Sequence, residues 1–296
     1  MTFCSTLVAL YLALFHSYGH ALTADSSAVG NPKAILGAGP AIGTTTKLAS
    51  APTNVVNQFL GVPFAAAPRR FEPPEAPKPW TGLYSATAYR PSCIQQFTSQ
   101  SSEELFNAEE PPDSEDCLYL NVFAPASRPL GKGRAVLFWL YGGNLQFGTA
   151  RLSAYDGSSF AANQDVIVAT INYRTNVFGF ATSPAIPLDK RNLGFLDQRL
   201  ALAWVQKNIH AFGGDPSRVT NFGESAGGYA VKQLFALPPP GRQRGGRKRG
   251  GAGGICRFWG DVGEVRGEGG TSVVPAVVGV DERCVVYEEV RRAVGL

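Results

Sequence analysis

The chain has 296 residues, of which 44% are hydrophobic and 17% are charged, and its formal net charge is +4. This composition excludes an intrinsically disordered protein, and the length suits one large globular domain or two small ones. So small a positive charge gives no reason to expect binding to nucleic acid or to a membrane surface.

Residues 1–21 are predicted to be a secretory signal peptide. An apolar run over 7–15 is too short to span a bilayer, and small residues at Gly19 and Ala21 suit a cleavage site. Ala24 is an alternative cleavage site, and a buried N-terminal helix is an alternative interpretation of the run. No other stretch is long enough to span a membrane. We therefore expect a secreted, extracellular protein without a stable membrane anchor.

Two cysteines of the predicted domain are expected to form a disulfide. Residues 22–50 are predicted to be a poorly structured leader, and a domain is predicted over 51–238. Within that domain Cys93 and Cys117 flank a polar loop. Secretion would place them in an oxidising compartment, which favours a disulfide over the alternative of two free buried thiols.

Apolar runs and turn signals predict alternating strands and helices across the domain. The predicted strands lie at 59–63, 118–123, 135–141, 166–173 and 218–222, and the predicted helices at 195–212 and 226–237. Two of the runs, AVLFWLY and VIVATINY, are typical of strands buried on both faces. The pattern predicts an α/β fold with a mostly parallel central sheet and helices on both faces.

The chain changes character after residue 238. Residues 239–296 begin with a segment, GRQRGGRKRGGAGG, in which five basic residues lie among glycines. Such a sequence cannot bury enough apolar surface to offset its backbone entropy, so we interpret it as a separate, disordered tail. A nucleic-acid-binding role for this Arg/Gly segment is an alternative that secretion disfavours, so no nucleic-acid partner is expected.

One pentapeptide carries recognisable chemistry. Residues 223–227 read Gly-Glu-Ser-Ala-Gly, the Gly-x-Ser-x-Gly pattern of a nucleophile elbow. In this turn the serine lies between a strand and a helix, and glycines two residues away on each side avoid collisions with both. The predicted strand at 218–222 and helix at 226–237 supply that context. A glycine-rich turn with a buried structural serine is the alternative.

A second glycine-rich segment follows another buried strand. Gly142, Gly143 and Asn144 come directly after the apolar run 135–141. The carboxyl ends of parallel strands meet at one edge of a sheet, so this loop and the elbow are predicted to share a site there. Backbone N–H groups of such a loop can bind a developing oxyanion.

With these motifs in place, the chain resembles the type-B carboxylesterases, the family that includes the cholinesterases and secreted fungal lipases. The matching stretches keep the family's order and spacing, and they are 59–80, 114–125, 137–150, 166–180 and 192–228. The resemblance implies an α/β-hydrolase fold, here truncated after the nucleophile helix, and hydrolysis of small-molecule or lipid esters through an acyl-enzyme. It implies no cofactor and no metal. The sequence does not indicate an oligomeric state.

The resemblance also implies roles for individual residues. Ser225 matches the nucleophile, and Gly143, Asn144 and Ala226 match the backbone donors of the oxyanion hole. Most family members have glycine where this chain has Asn144. Glu224 matches an acid beside the nucleophile, with a hydrogen-bonded structural carboxylate as an equal alternative. The resemblance supports the Cys93–Cys117 pairing, and it implies structural ion pairs for Glu115 and Arg174.

The base of a catalytic triad has no counterpart in the sequence. In this family the triad runs Ser, Glu or Asp, then His, but the three histidines of this chain, His16, His20 and His210, all precede Ser225. We interpret His210 as a helix residue rather than a base. The sequence therefore predicts an ester hydrolase that is impaired or inactive as written, or else a non-catalytic, cholinesterase-like binding protein or truncated pseudoenzyme.

Overall fold

A six-stranded mixed β-sheet forms the centre of the fold. The computed structural model describes residues 31–107 and 111–236. In chain order the strands are β1 (Lys33–Ile35), β2 (Pro40–Ile42), β3 (Thr44–Leu48), β4 (Ala51–Pro63), β5 (Tyr84–Ser85), β6 (Ser92–Cys93), β7 (Asp113–Ser114), β8 (Tyr119–Pro125), β9 (Arg134–Leu140), β10 (Ile167–Ile171) and β11 (Gly214–Gly223). The helices are α1 (Gln100–Phe106), α2 (Ser158–Gln164), α3 (Asn176–Phe180), α4 (Leu193–Asn208) and α5 (Ala226–Ala236), with short 3-10 turns at Ser153–Tyr155, Leu188–Lys190 and Ile209–Phe212.

The central sheet is less parallel than the sequence predicts. Its strand order is β11-β9-β10-β8-β4-β3. Strands β11, β9 and β10 are mutually parallel, whereas β8 is antiparallel to both β10 and β4, and β4 is antiparallel to β3. The prediction of a mostly parallel sheet is thus wrong for the described residues. Continuous apolar runs indicate that a strand is buried, but they carry no information on its direction.

The described part of the predicted leader, residues 31–50, is more ordered than predicted. It contributes strands β1, β2 and β3, whereas residues 22–30 lie outside the described residues. A turn of two residues, 49–50, separates β3 from β4, so these strands must pair antiparallel. The sequence pattern does not indicate these strands, because β1 to β3 are short and carry few apolar side chains.

Helices cover both faces of the sheet, as predicted. Alternate residues of a strand point to opposite faces, and β10 shows this directly. Ile167, Ala169 and Ile171 join the core that includes α4 and α5, whereas Val168 joins a second core that includes α2. The predicted helix at 195–212 begins two residues earlier, and its last turn is a separate 3-10 segment before β11.

Covalent and ionic links fix the loops around the sheet. Cys93 and Cys117, 24 residues apart, form the predicted disulfide. The predicted ion-pair residues also find partners: Arg70 pairs with Glu115 at 2.6 Å on the surface. Arg174 pairs with Asp197 at 2.7 Å in the interior, where both side chains are nearly inaccessible.

Two predicted segments lie outside the described residues: the signal peptide at 1–21 and the tail at 239–296. Within the described residues, no helix combines the length and the apolar character needed to cross a bilayer.

Replacing both Cys93 and Cys117 by serine should lower the free energy of unfolding by about 3 kcal/mol, because the crosslink restricts the unfolded chain. Urea titration monitored by tryptophan fluorescence measures this difference. Parent protein treated with a thiol reductant is the matched control, and it should unfold at the same urea concentration as the double variant. A double variant as stable as the oxidised parent would contradict the prediction.

Candidate active site

Ser225 lies in a strained turn between β11 and α5. Strand β11 ends at Gly223 and helix α5 begins at Ala226. Ser225 has φ of +51°, in the left-handed region, and its side chain is exposed. Non-glycine residues rarely adopt this conformation, and strain of this kind concentrates at functional sites. The turn therefore has the conformation expected of a nucleophile elbow.

Close packing against the end of β9 explains the glycine at position 227. Gly223 pairs with Leu140 across the sheet, so the start of α5 lies against the carboxyl end of β9. A Cβ at Gly227 would collide with the carbonyl oxygen of Leu140 and would lie 2.8 Å from that of Tyr141. No side chain fits there unless the helix moves away from the sheet.

The loop that follows β9, residues 142–148, lies directly beside this turn. A Cβ at Gly142 would be 3.1 Å from the Cβ of Ser225 and would collide with the Glu224 carboxylate. Asn144 has φ of +53°, which asparagine tolerates better than most residues. The structure thus brings the predicted loop segment Gly142–Gly143–Asn144 together with the 224–226 turn, at the carboxyl ends of two parallel strands.

Glu224 is half-buried beside this loop. Burial raises the pKa of its carboxyl group above the ordinary value. Burial, and then the charge of Glu224, also raise the pKa of the Tyr155 hydroxyl group. The acid predicted to flank the nucleophile therefore lies against Gly142, at the start of the loop.

His210 lies far from Ser225. It is exposed in the 3-10 turn before β11, whereas Ser225 follows the other end of that strand. Ten residues of strand at a rise of about 3.3 Å each separate the two ends by roughly 30 Å. The structure thus agrees with the interpretation of His210 as a residue outside the site.

Several residues that support the loop were not singled out from the sequence. The Gly148 N–H donates to Oε1 of Gln95 at 2.9 Å, and the Phe97 and Phe147 rings lie 4.7 Å apart. These contacts join the disulfide loop to the loop after β9. The contact between Tyr141 and Tyr173 was not predicted either. The available signal was that each tyrosine ends an apolar run.

No metal site emerges from the part of the chain that the structure describes. There, no group of three or more His, Cys, Asp or Glu side chains is arranged to hold a metal ion. The described site consists of an exposed serine beside a glycine-rich loop.

A Gly-x-Ser-x-Gly turn that joins a parallel strand to a helix, beside a glycine-rich loop, is typical of the α/β-hydrolases. Comparison with known families agrees with this class. The model of the carboxylesterase family matches residues 32–243, which is most of the chain. The chain belongs to the carboxylesterase family. The match begins before residue 51, in agreement with the strands found there.

Individual relatives are similar over the same part of the chain. The human (Homo sapiens) cocaine esterase is 47% identical over 193 residues, which are 62% of this chain and 34% of that protein. The acetylcholinesterase of Bungarus fasciatus is 46% identical over 183 residues, or 60% and 30% respectively. The acylcarnitine hydrolase of Mus musculus is 45% identical over 190 residues, or 62% and 33%. The chain thus spans about a third of the length of these relatives.

Gly227→Ala should lower the free energy of unfolding by about 3 kcal/mol, since the new methyl group overlaps the Leu140 carbonyl oxygen. Urea titration measures the loss. Gly82→Ala is the matched control because a Cβ at Gly82 meets no atom within 4 Å, and it should change stability by less than about 1 kcal/mol. Equal stability of the two variants would show that helix α5 does not pack as closely as described.

Proposed function

We propose that this chain carries the nucleophile and the oxyanion-binding loop of a serine ester hydrolase. One observation carries the proposal: an exposed serine is held at φ +51° beside the Gly142–Gly143–Asn144 loop. The names of these relatives, two esterases and a hydrolase of acylcarnitine, support a small-molecule or lipid ester as the substrate.

The proposed reaction is acyl transfer to Ser225. Its Oγ attacks the ester carbonyl carbon, and the N–H groups of Gly143, Asn144 and Ala226 donate to the oxyanion that forms. Collapse of this intermediate breaks the bond to the alcohol, which leaves with a proton. Water then attacks the acyl-serine and releases the carboxylic acid. Neither step requires a metal or an organic cofactor.

Proton transfer lacks an evident base in a chain with this sequence. A serine hydroxyl needs an adjacent base, and no histidine follows Ser225 in the sequence. His210 lies at the opposite end of β11. We propose that such a chain reacts slowly, with the residual rate that the oxyanion hole and binding alone supply, about 10³–10⁴ over water.

A non-catalytic, cholinesterase-like binding protein is the second candidate. The lack of a histidine after Ser225 favours it, whereas the intact strained elbow favours the hydrolase. Strain of this kind persists only where the surrounding structure enforces it, and it concentrates at functional sites, so an exposed serine in left-handed geometry supports a reactive role. Reactivity of Ser225 therefore distinguishes the two candidates.

A fluorophosphonate probe should label the folded chain at Ser225, and intact-mass spectrometry with peptide mapping should locate the adduct. We expect labelling at least about tenfold faster than in urea-unfolded protein, because the oxyanion donors are organised only in the folded state. Ser225→Ala should abolish it. Glu224→Gln should retain it, since we assign Glu224 a supporting role.

Equal labelling of the folded and unfolded protein would contradict the hydrolase and support the binding protein. Steady hydrolysis of 4-nitrophenyl acetate at an ordinary esterase rate, lost in Ser225→Ala, would instead contradict the proposed lack of an effective base. Gly82→Ala serves as a control in both assays, because it lies outside the site.

We also propose that the protein is secreted after cleavage of residues 1–21. The Cys93–Cys117 disulfide supports this, because disulfides persist in oxidising compartments. Expression in a secreting eukaryotic host should yield a product in the medium whose first residue is Leu22, as N-terminal sequencing would show. Retention of the uncleaved chain inside the cells would contradict the proposal.

A further inference from the structure

Two buried tyrosines form a reciprocal contact at the ends of β9 and β10. Tyr141 and Tyr173 are fully buried, and their rings stack with centroids 4.3 Å apart. The Tyr141 hydroxyl donates to the Tyr173 carbonyl oxygen at 2.8 Å and accepts from the Tyr173 N–H at 3.1 Å. The Tyr173 hydroxyl donates to the Tyr141 carbonyl oxygen at 2.8 Å. Each side chain thus binds the backbone of the other residue.

The Tyr141 end of this pair lies at the base of the loop after β9. Tyr141 directly precedes Gly142, so its carbonyl group sets the direction in which the loop leaves the strand. The same carbonyl oxygen lies close to Gly227, two residues after the nucleophile. The Tyr141 ring packs against Gly148, where the loop ends. The Tyr141 side chain therefore contacts the last residue of the loop, whereas the Tyr141 backbone leads directly into the first.

The polar atoms of the pair leave little freedom for an alternative arrangement. An unpartnered polar group costs free energy in a buried site, so the hydroxyl groups and carbonyl groups are strongly held to one another. Burial also raises the pKa of both phenols, so both stay neutral and remain donors at physiological pH. The contact acts as a fixed link between strand β10 and the loop.

We propose that Tyr141 and Tyr173 are positioning residues for the oxyanion-binding loop, acting through the Tyr141 carbonyl group and the Tyr141 ring. The catalytic consequence rests on the proposed function of Ser225. The effect on the loop does not, because it concerns the position of residues 142–148 alone.

Tyr173→Phe is the decisive variant, since it removes only the hydroxyl that binds the Tyr141 carbonyl oxygen. Tyr84→Phe is the matched control: the Tyr84 hydroxyl donates to the carbonyl oxygen of Gly61 at 2.9 Å, a bond of the same kind outside the loop. Both should lose similar stability in urea. Hydrogen exchange of residues 142–148 should become about tenfold faster in Tyr173→Phe and stay at the parent level in Tyr84→Phe.

Fluorophosphonate labelling of Ser225 gives the second measurement. In Tyr173→Phe the rate at saturating probe should fall about tenfold, while the half-saturating concentration stays within about threefold, because the loop stabilises the transition state rather than probe binding. Tyr84→Phe should change neither quantity. If Tyr173 had a purely structural role, Tyr173→Phe would lower the amount of folded protein, but the folded fraction would keep the parent's labelling rate at saturating probe.

Unchanged exchange of 142–148 in Tyr173→Phe would overturn the inference, as would faster exchange with an unchanged labelling rate. If the parent chain is not labelled at all, the proposed function fails, and the exchange measurement alone still decides whether the pair positions the loop. If Tyr173→Phe does not fold, Tyr141→Phe decides, because it removes the hydroxyl that binds the Tyr173 backbone in the segment after β10. Exchange equal to that of Tyr84→Phe would then contradict the proposal.

Discussion

The alignment of the carboxyl ends of β9 and β11 is the constraint on which the rest of the site depends. With Leu140 opposite Gly223, the Leu140 carbonyl oxygen occupies the space that a side chain at Gly227 would need. Helix α5 can therefore start only where glycine removes the collision. The tight turn forces Ser225 to positive φ, a conformation that costs on the order of 1–3 kcal/mol and that the surrounding packing must hold in place.

A chain of buried polar contacts extends this support from the elbow to helix α4. Tyr173 is followed directly by Arg174, whose guanidinium binds both carboxylate oxygens of Asp197 on α4 and the carbonyl oxygen of Glu72. A buried ion pair contributes little net stability, because desolvation offsets the attraction, but it tolerates few alternative geometries. The pair therefore fixes the position of the segment after β10, and with it Tyr173, which binds the Tyr141 carbonyl oxygen at the start of the loop after β9.

Much of this arrangement could be predicted from the sequence. The features that could not be predicted depend on contacts between distant parts of the chain. The elbow at Ser225 follows from a local pattern between a strand and a helix. The disulfide follows from two cysteines in one predicted domain. Strand direction could not be predicted, since the antiparallel strand β8 is about as apolar as the mutually parallel strands β9 and β10. The Tyr141–Tyr173 contact joins residues 32 positions apart through backbone groups, so the sequence shows a tyrosine at the end of each apolar run but not which groups these tyrosines bind.

Acyl transfer has two requirements that this chain allows to be considered separately: stabilisation of the oxyanion and acceptance of the serine proton. The conformation of Ser225 and the position of the loop after β9, which we propose to bind the oxyanion, depend on β9, β10, β11 and α5 together, all of which lie within the described residues. A base contributes nothing to that geometry, because the turn is held by the Leu140 carbonyl oxygen and by the glycines beside it. Oxyanion donors and the general base stabilise different charges in the transition state, and removal of the base leaves the contribution of the donors in place. Reactivity of Ser225 toward an electrophile therefore reports on the fold, whereas turnover of an ester reports on the proton acceptor.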